Sequence, residues 1–203
     1  MSMGRSFQKA CDSVTKQLEK MFNKETAAII DQHASGSLLA GMVSLVPGAG
    51  PTICAVTQTA LVYTMYVRIN RAMGISLSEN KLRALAGAVV GNIAGNATAY
   101  LTGTAIATAA SFIPGLGSGM SMVIMGGIGY AMMVVSAVSY GAIISRVKSG
   151  EMENMSEKEI KDVVAQGMEG RNVNREMKDL MSEYRQRRKD GSITGQETVT
   201  PED

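Results

Sequence analysis

The chain has 203 residues, of which 45% are apolar, with 20 Lys and Arg against 18 Asp and Glu. This composition excludes a disordered chain, a collagen-like chain and a typical nucleic-acid binder with a basic excess, and the length suits one domain with tails. The charges are unevenly distributed, because positions 32–67 and 84–145 hold no Asp, Glu, Lys or Arg. Ordinary soluble domains are about 25% charged. The long uncharged stretches disfavour a common type of enzyme, since they offer almost no group that transfers protons or attacks a substrate.

Residues 1–35 predict an amphipathic N-terminal helix, because apolar side chains recur at helical spacing with charged residues off that stripe. The apolar positions are Phe7, Ala10, Val14, Leu18, Met21 and Phe22. Three roles are open for this helix: packing on its own fold, packing on a partner helix and lying on a membrane surface. His33, close to Asp31, lacks a second His or Cys at metal-ligand spacing, so we expect it on the surface or at the end of the helix.

Residues 36–146 predict two apolar helical hairpins, each bent where Pro and Gly end a helix and demand a turn. The turn residues are Pro47, Gly48 and Gly50 in the first hairpin and Pro114, Gly115 and Gly117 in the second. Pro114 follows Pro47 by 67 positions, and the same offset pairs Tyr63 with Tyr130 and Gly74 with Gly141. The sequence therefore predicts an internal duplication and an all-α fold.

A polar connector joins the two apolar units between Arg68 and Arg83. Within it, Ser76 precedes Glu79 by three positions, the spacing of a capping box, and predicts a helix that starts near Leu77. The connector holds four basic residues and one acidic residue. By the positive-inside rule this places the charged ends of the hairpins in the cytoplasm.

The arms over 82–111 and 118–145 are long enough, at about 1.5 Å per residue, to exceed the ~30 Å of a bilayer core. They predict a protein embedded in the inner membrane. Their content of Gly, Ala, Ser and Thr is also compatible with long buried helices of a soluble bundle.

One arm carries small residues at a strict four-residue spacing. These are Gly87, Gly91, Gly95, Ala99, Gly103 and Ala107. Such a glycine zipper is typical of a helix-packing face in lipid, and its partner is either the other hairpin arm or a second copy of the chain, which predicts a homo-oligomer. Asn92 and Asn96 lie beside this face and need hydrogen-bond partners, which favours their burial in a bundle.

Residues 147–190 predict an amphipathic C-terminal helical region, divided at Gly170, in which Ser156 and Glu159 repeat the capping-box spacing. Residues 191–203 predict a mobile tail. The C-terminal helical region, residues 147–190, contains one dense basic cluster, formed by Arg185, Arg187, Arg188 and Lys189. This cluster is a candidate contact for anionic lipid headgroups, less favourably for nucleic acid, and is otherwise a solvated helix end.

Three short motifs resemble a bacterial GTPase-associated domain of unknown function, found in YcjF-like inner-membrane proteins. They are Leu45 to Gly50, Arg71-Ala72-Met73-Gly74-Ile75-Ser76-Leu77-Ser78, and Phe112 to Ser118. The resemblance covers roughly residues 36–146 and implies a membrane-associated helical hairpin domain that works beside a GTPase. The chain has no GxxxxGK[ST] motif, so nucleotide chemistry would belong to a partner protein.

No catalytic, cofactor or metal site is predicted. The Gly-x-Gly pairs lack the third glycine of a dinucleotide loop, and the 16 methionines are better explained as pliable packing than as copper ligands. The leading hypothesis is a non-enzymatic membrane protein that assembles through glycine-rich helix faces and presents cytoplasmic helices to a partner, for which a GTPase is a candidate. The alternatives are a pore-forming, membrane-permeabilising effector and a soluble structural subunit of a large homo-oligomer.

Overall fold

A computed structural model of the protein describes residues 18–37, 50–97 and 117–194, with side chains at 18–37, 56–97 and 123–194. The described secondary structure is entirely helical, which confirms the predicted all-α class. The elements are α1 (Lys24–Gly36), α2 (Gly50–Met73), α3 (Glu79–Asn96), α4 (Gly117–Lys148), a 3₁₀ turn (Glu151–Asn154), α5 (Glu157–Gly167) and α6 (Val173–Lys189).

Helix α4 forms the centre of the bundle, and the other five α-helices all pack against it. Within the described part of the chain, Val123–Lys148 is the one segment long and apolar enough to cross a membrane, by length and composition alone. Its most apolar stretch is 78% buried inside the protein. A helix that is apolar on all sides must be covered either by protein or by lipid, and here the neighbouring helices cover most of it.

Helices α2 and α4 run in the same direction, and α1 and α3 run opposite to them. The Tyr66 ring of α2 stacks on Tyr140 of α4 with centroids 4.4 Å apart, and its hydroxyl donates to the Ser136 carbonyl at 2.9 Å. Further along, Gln58 of α2 and Ser37 at the end of α1 meet beside Gly129 of α4. The C-termini of α1 and α3 and the N-termini of α2 and α4 therefore lie at one end of the bundle, which we call the junction end.

The predicted hairpin turns lie outside the described residues, except for Gly50 and Gly117. These two glycines are 67 positions apart and begin α2 and α4 respectively. The offset of the predicted duplication thus relates the starts of the two helices but not their ends. Gly74 follows the last residue of α2 with a φ of +64°, whereas Gly141 lies inside α4, where an added Cβ atom would be 2.5 Å from Met21 Cε.

The predicted arm over 82–111 is wrong as one continuous helix, because α3 ends at Asn96 and Ala97 is extended. The Asn96 side chain donates to the Asn92 carbonyl at 2.8 Å. Asn side chains that bond to nearby backbone compete with the helical ladder and favour helix ends. Residues 98–116, which include Ala99, Gly103 and Ala107, lie outside the described part of the chain.

The two predicted capping boxes have different outcomes. Ser156 and Glu159 form a complete box at the start of α5, as predicted. The box predicted for Ser76 is wrong: α3 has Ser78 as its N-cap, and the Ser78 N–H donates to the Glu153 carboxylate at 3.0 Å. The would-be partner, Glu79, instead accepts two hydrogen bonds from the side chain of the arginine four residues later.

The N-terminal and C-terminal amphipathic regions are each interrupted and do not form one continuous helix. The predicted division at Gly170 is confirmed, because this glycine has a φ of +74° in the connection between α5 and α6. The N-terminal helix is interrupted at Phe22. Asn23 then starts α1 by accepting a hydrogen bond from the Thr26 N–H at 2.8 Å.

Candidate functional site

An open apolar groove of about 660 Å³ runs between α2 and α3 on the surface of the bundle. Its apolar lining consists of Val56, Ala60, Tyr63, Val90, Gly91 and Ala94. Val56 is 66% exposed, which is unusual for a large aliphatic side chain beside a well-formed core. A contiguous exposed apolar patch of this kind is typical of an interaction surface.

The groove exists because α3 carries its bulky residues on one face and its glycines on another. Leu85, Val89 and Ile93 are buried toward the bundle, whereas Gly87 and Gly91 are exposed and line the groove. A Cβ atom added to either glycine would meet no other part of the protein within 4 Å. Gly87, Gly91 and Gly95 of the predicted helix-packing face are therefore not covered by any described residue.

The other hairpin arm is not the partner of this face. Helix α4 packs against α3, but Gly87, Gly91 and Gly95 have no neighbour within 4 Å of an added Cβ atom. Of the two partners that the sequence leaves open, the described part of the other hairpin arm therefore does not cover Gly87, Gly91 and Gly95.

Arg83 supplies the one charge in the described lining of the groove. Its guanidinium carbon lies 5.0 Å from the centre of the Tyr63 ring, a cation–π contact. Arg83 Nε and Nη2 also donate to a single oxygen of Glu79, at 3.0 and 2.6 Å. Both side chains of this ion pair are mostly exposed, at 64% and 62%, so water and salt weaken it.

The predicted lipid-contact cluster at the end of α6 divides into two bound and two exposed side chains. Arg187 forms an ion pair with Asp31 of α1 at 2.6 Å, and Arg188 donates to the Thr194 carbonyl at 2.8 Å. Arg185 and Lys189 are exposed. Only the exposed pair is fully accessible to a headgroup.

Helix α6 is held to α4 near the junction end by a buried polar contact. Glu183 is buried and accepts a hydrogen bond from the Tyr130 hydroxyl at 2.8 Å. Burial raises the pKa of the Glu183 carboxyl above its usual range. Arg187 also donates to the Tyr130 hydroxyl, at 3.2 Å, and so connects α1, α4 and α6 at one point.

His33 is fully buried in the last turn of α1, so of its two predicted positions the helix end is confirmed and the surface is wrong. Its Nδ1 atom lies 2.9 Å from the Ile29 carbonyl, and its Nε2 atom has no hydrogen-bond partner among the described residues. Burial lowers the pKa of His33, and the positive charge of Arg68 lowers it further. The described residues contain no group of three or more His, Cys, Asp or Glu side chains placed to hold a metal ion.

Asn92 and Asn96 are not buried, contrary to the prediction. Asn96 is exposed and donates to the Asn92 side-chain oxygen at 3.1 Å. Both amides line a polar pocket of about 520 Å³, which Asn172 and Asn174 complete from the start of α6. Their hydrogen bonds are therefore made locally and at the surface, so burial in a bundle is not needed to supply partners.

No family model matches the sequence, and no curated protein or solved structure matches it either. The resemblance to the GTPase-associated domain therefore stays a prediction from short motifs. Two of those motifs, at 45–50 and 112–118, lie largely outside the described residues.

Proposed function

We propose that the protein is a non-enzymatic helical membrane protein that enters the inner membrane by its junction end and by the α2–α3 face. It assembles there through the glycine face of α3, and its charged helices remain in the cytoplasm. The observation that carries this proposal is the exposed apolar groove, which adjoins chain segments without any charge.

Two uncharged segments support membrane entry at the junction end, whereas the basic end of α6, which Arg187 holds near Asp31 and Tyr130 at the same end, stays beside the membrane at the level of the headgroups. The two segments that leave this end, 38–49 and 98–116, contain no Asp, Glu, Lys or Arg. The parts of α2 and α3 nearest to them are equally uncharged. A charged side chain at the centre of a bilayer costs about 2.5–3.5 kcal/mol or more, and these segments avoid that cost.

Helix lengths support contact with lipid along α2 and α3. These helices have 24 and 18 residues, which corresponds to about 36 and 27 Å at 1.5 Å per residue. Both values are close to the ~30 Å of a bilayer core. Helix α4 is already covered by protein over most of its length, so α2 and α3 are the helices left to face lipid.

The orientation follows from the opposite end of the bundle. Arg71 lies in the last turn of α2, and Lys81 and Arg83 lie near the start of α3. By the positive-inside rule this end belongs in the cytoplasm. The motif resemblance adds a GTPase as a candidate partner for the cytoplasmic helices, among which α5 and α6 present exposed charged faces.

Extraction of membranes with alkaline carbonate tests the proposal. We expect the protein to stay in the membrane pellet and to enter solution only with detergent. Recovery in the soluble fraction after gentle lysis without detergent would contradict membrane embedding. A single large species on sizing of that soluble fraction would then favour the soluble homo-oligomer.

Assembly is tested separately by chemical cross-linking of the membrane-bound protein. Gly95 is exposed and has no neighbour within 4 Å of an added Cβ atom, so Gly95→Leu leaves the bundle intact but blocks close helix contact. We expect this variant to lose cross-linked oligomers that the unchanged protein forms. Equal cross-linking of both proteins would reject α3 as the assembly face.

A pore-forming effector is the second candidate, and one observation favours it. The most apolar helix, α4, is covered in part by α1 and α6. Among the described ion pairs, the one that joins α1 to α6 is Arg187–Asp31, at the surface. Separation of these covering helices would expose a segment long enough to span a bilayer. Release of dye from liposomes by the purified protein tests this, and a flat trace at a high protein-to-lipid ratio removes it.

A further inference from the structure

We propose that the groove between α2 and α3 binds one anionic phospholipid, with its acyl chain along the groove and its headgroup at Arg83. This inference rests on the proposed function, because the membrane supplies the lipid. It assigns the Gly87–Gly91 part of the glycine face to lipid and leaves Gly95 for contact with a second copy.

The shape of the groove suits a single unbranched chain. The lining positions on α3 extend from Arg83 to Ala94, which is eleven residues or about 16 Å along the helix axis. The absence of side chains at Gly87 and Gly91 keeps this path open. Binding of an acyl chain becomes more favourable with each CH₂ group that it buries, and such a chain fits a surface that offers few hydrogen-bonding groups.

The charge at one end of the groove selects the headgroup. Arg83 is the one charged side chain in the described lining, and a guanidinium forms paired hydrogen bonds with phosphate oxygens. A guanidinium has five N–H donors, and the bonds to Glu79 use Nε and Nη2 on one carboxylate oxygen. Because that ion pair is largely exposed, a phosphate can compete with Glu79 or share the guanidinium with it.

The direction of the groove matches the orientation of a lipid in a leaflet. Arg83 lies beside Tyr63 at the charged side of the protein, and the groove continues to Val56 and Ala94 toward the junction end. A headgroup at Arg83 therefore lies at the membrane surface while its chain points toward the uncharged segments. A second copy seated in the same groove is less well matched, because no acidic side chain of the described lining would meet Arg83.

Photolabelling of the full-length protein in neutral detergent micelles tests the site. The probe is phosphatidylglycerol with a diazirine in one acyl chain, and phosphatidylcholine with the same label is the comparison lipid. We expect peptide mapping to locate the label within 56–64 and 87–94. Gly91→Leu, which fills the groove, should abolish this labelling, and Arg83→Gln should weaken the labelling by phosphatidylglycerol about tenfold, since a charge-assisted bond is lost.

Gly95→Leu is the matched control, because this glycine lies on the same helix, is exposed and is not part of the groove. It should keep full labelling, and circular dichroism should show equal helix content in all three variants. Equal labelling by both lipids that Arg83→Gln leaves unchanged would overturn the proposal. Cross-links between copies across Gly91 in place of lipid label would overturn it as well.

The failure of this site is distinguishable from failure of the proposed function. A protein that resists carbonate extraction but carries no label in the groove lacks the lipid site and keeps its place in the membrane. A protein found in the soluble fraction whose groove is labelled in micelles, with loss in Gly91→Leu, retains the site and rejects the membrane proposal.

Discussion

Helices α3 and α4 both come from the long uncharged stretch of the chain, yet they occupy opposite positions in the bundle. Helix α4 is buried without interruption from Met125 to Ala137, whereas α3 is covered on one side and exposes Gly87, Gly91 and Gly95 on the other. Large apolar side chains lie on all sides of α4, so the free energy of folding becomes more favourable when helices pack on every side of it and remove these side chains from water. A glycine face offers no side chain to bury. The surface that remains for lipid or a second copy is therefore the weakly apolar helix and not the strongly apolar one.

The largest effect should come from adding volume to α4. A Cβ atom on Gly129 would lie 2.8 Å from Ser37 Oγ and 3.1 Å from the Ser37 carbonyl, and the backbone of α1 cannot easily move away. We expect Gly129→Leu to lower the free energy of unfolding by about 3 kcal/mol, because overpacking forces strain on the core. Denaturant unfolding in detergent measures this, and a loss below about 1 kcal/mol would mean that α1 is loosely held.

A smaller effect should follow from removing one hydroxyl inside the bundle. Tyr130→Phe leaves buried Glu183 without the hydrogen bond that it accepts, and an unsatisfied buried polar group costs about 1–3 kcal/mol. The matched control is Tyr63→Phe in the groove, which should change stability by less than about 0.5 kcal/mol. Equal losses of stability in the two variants would contradict the prediction that a buried hydroxyl contributes more than one in the groove. Thermal unfolding followed by circular dichroism compares them.

Acid should weaken the packing of α1 through His33. Burial lowers the pKa of His33 in the folded protein, so below about pH 6.5, the ordinary value, the unfolded chain binds the proton more readily. Stability is therefore present above the unfolded pKa and falls as the pH drops through it, by at most about 1.4 kcal/mol per pH unit.

His33→Gln isolates this contribution, because the raised pKa of Glu183 acts in the opposite direction: its carboxyl favours protonation in the folded protein. Between pH 7.5 and 5.5 the unchanged protein should lose more stability than the variant. Parallel pH profiles of the melting temperature would contradict the prediction, because they would show that His33 binds its proton equally well in the folded and unfolded states.

The smallest effect should be a gain on α3. Gly91 is exposed, helical and without a neighbour near an added Cβ atom. Gly91→Ala should therefore stabilise the protein by about 0.5–1 kcal/mol, since Ala loses less backbone freedom in a helix than Gly. Destabilisation in the same unfolding assay would mean that this glycine is already in close contact with another molecule, as in an assembled oligomer.

The two predicted capping boxes show how well a local sequence pattern predicts the start of a helix. Ser156 with Glu159 and Ser76 with Glu79 have the same spacing in the sequence, but only the first pair forms a box. The second does not form because α3 begins two residues later, with Ser78 as its N-cap, and a carboxylate from a distant part of the chain, Glu153, accepts the Ser78 N–H. The spacing alone contains no information about such a competitor.

The glycines of the candidate site could be predicted from the sequence, but the residues that lie opposite them could not. The four-residue spacing indicated that Gly87, Gly91 and Gly95 share one face, as they do. It did not indicate that α2 supplies Val56 and Tyr63 as the second wall of a groove, because that wall comes from a different helix. Burial of His33 was missed for the same reason, because the helices that pack on α1 come from distant parts of the sequence.

The sequence alone is enough to predict the all-α class, the division at Gly170 and the capping box at Ser156. These features depend on backbone conformations and hydrogen bonds between residues a few positions apart, which composition and spacing encode directly. Three other features arise only when the helices pack together: α4 is covered, Gly87, Gly91 and Gly95 of α3 are exposed, and Arg187 pairs with Asp31, 156 positions away. Such features depend on which helices become neighbours, and the free energy of that choice is shared among many distant contacts.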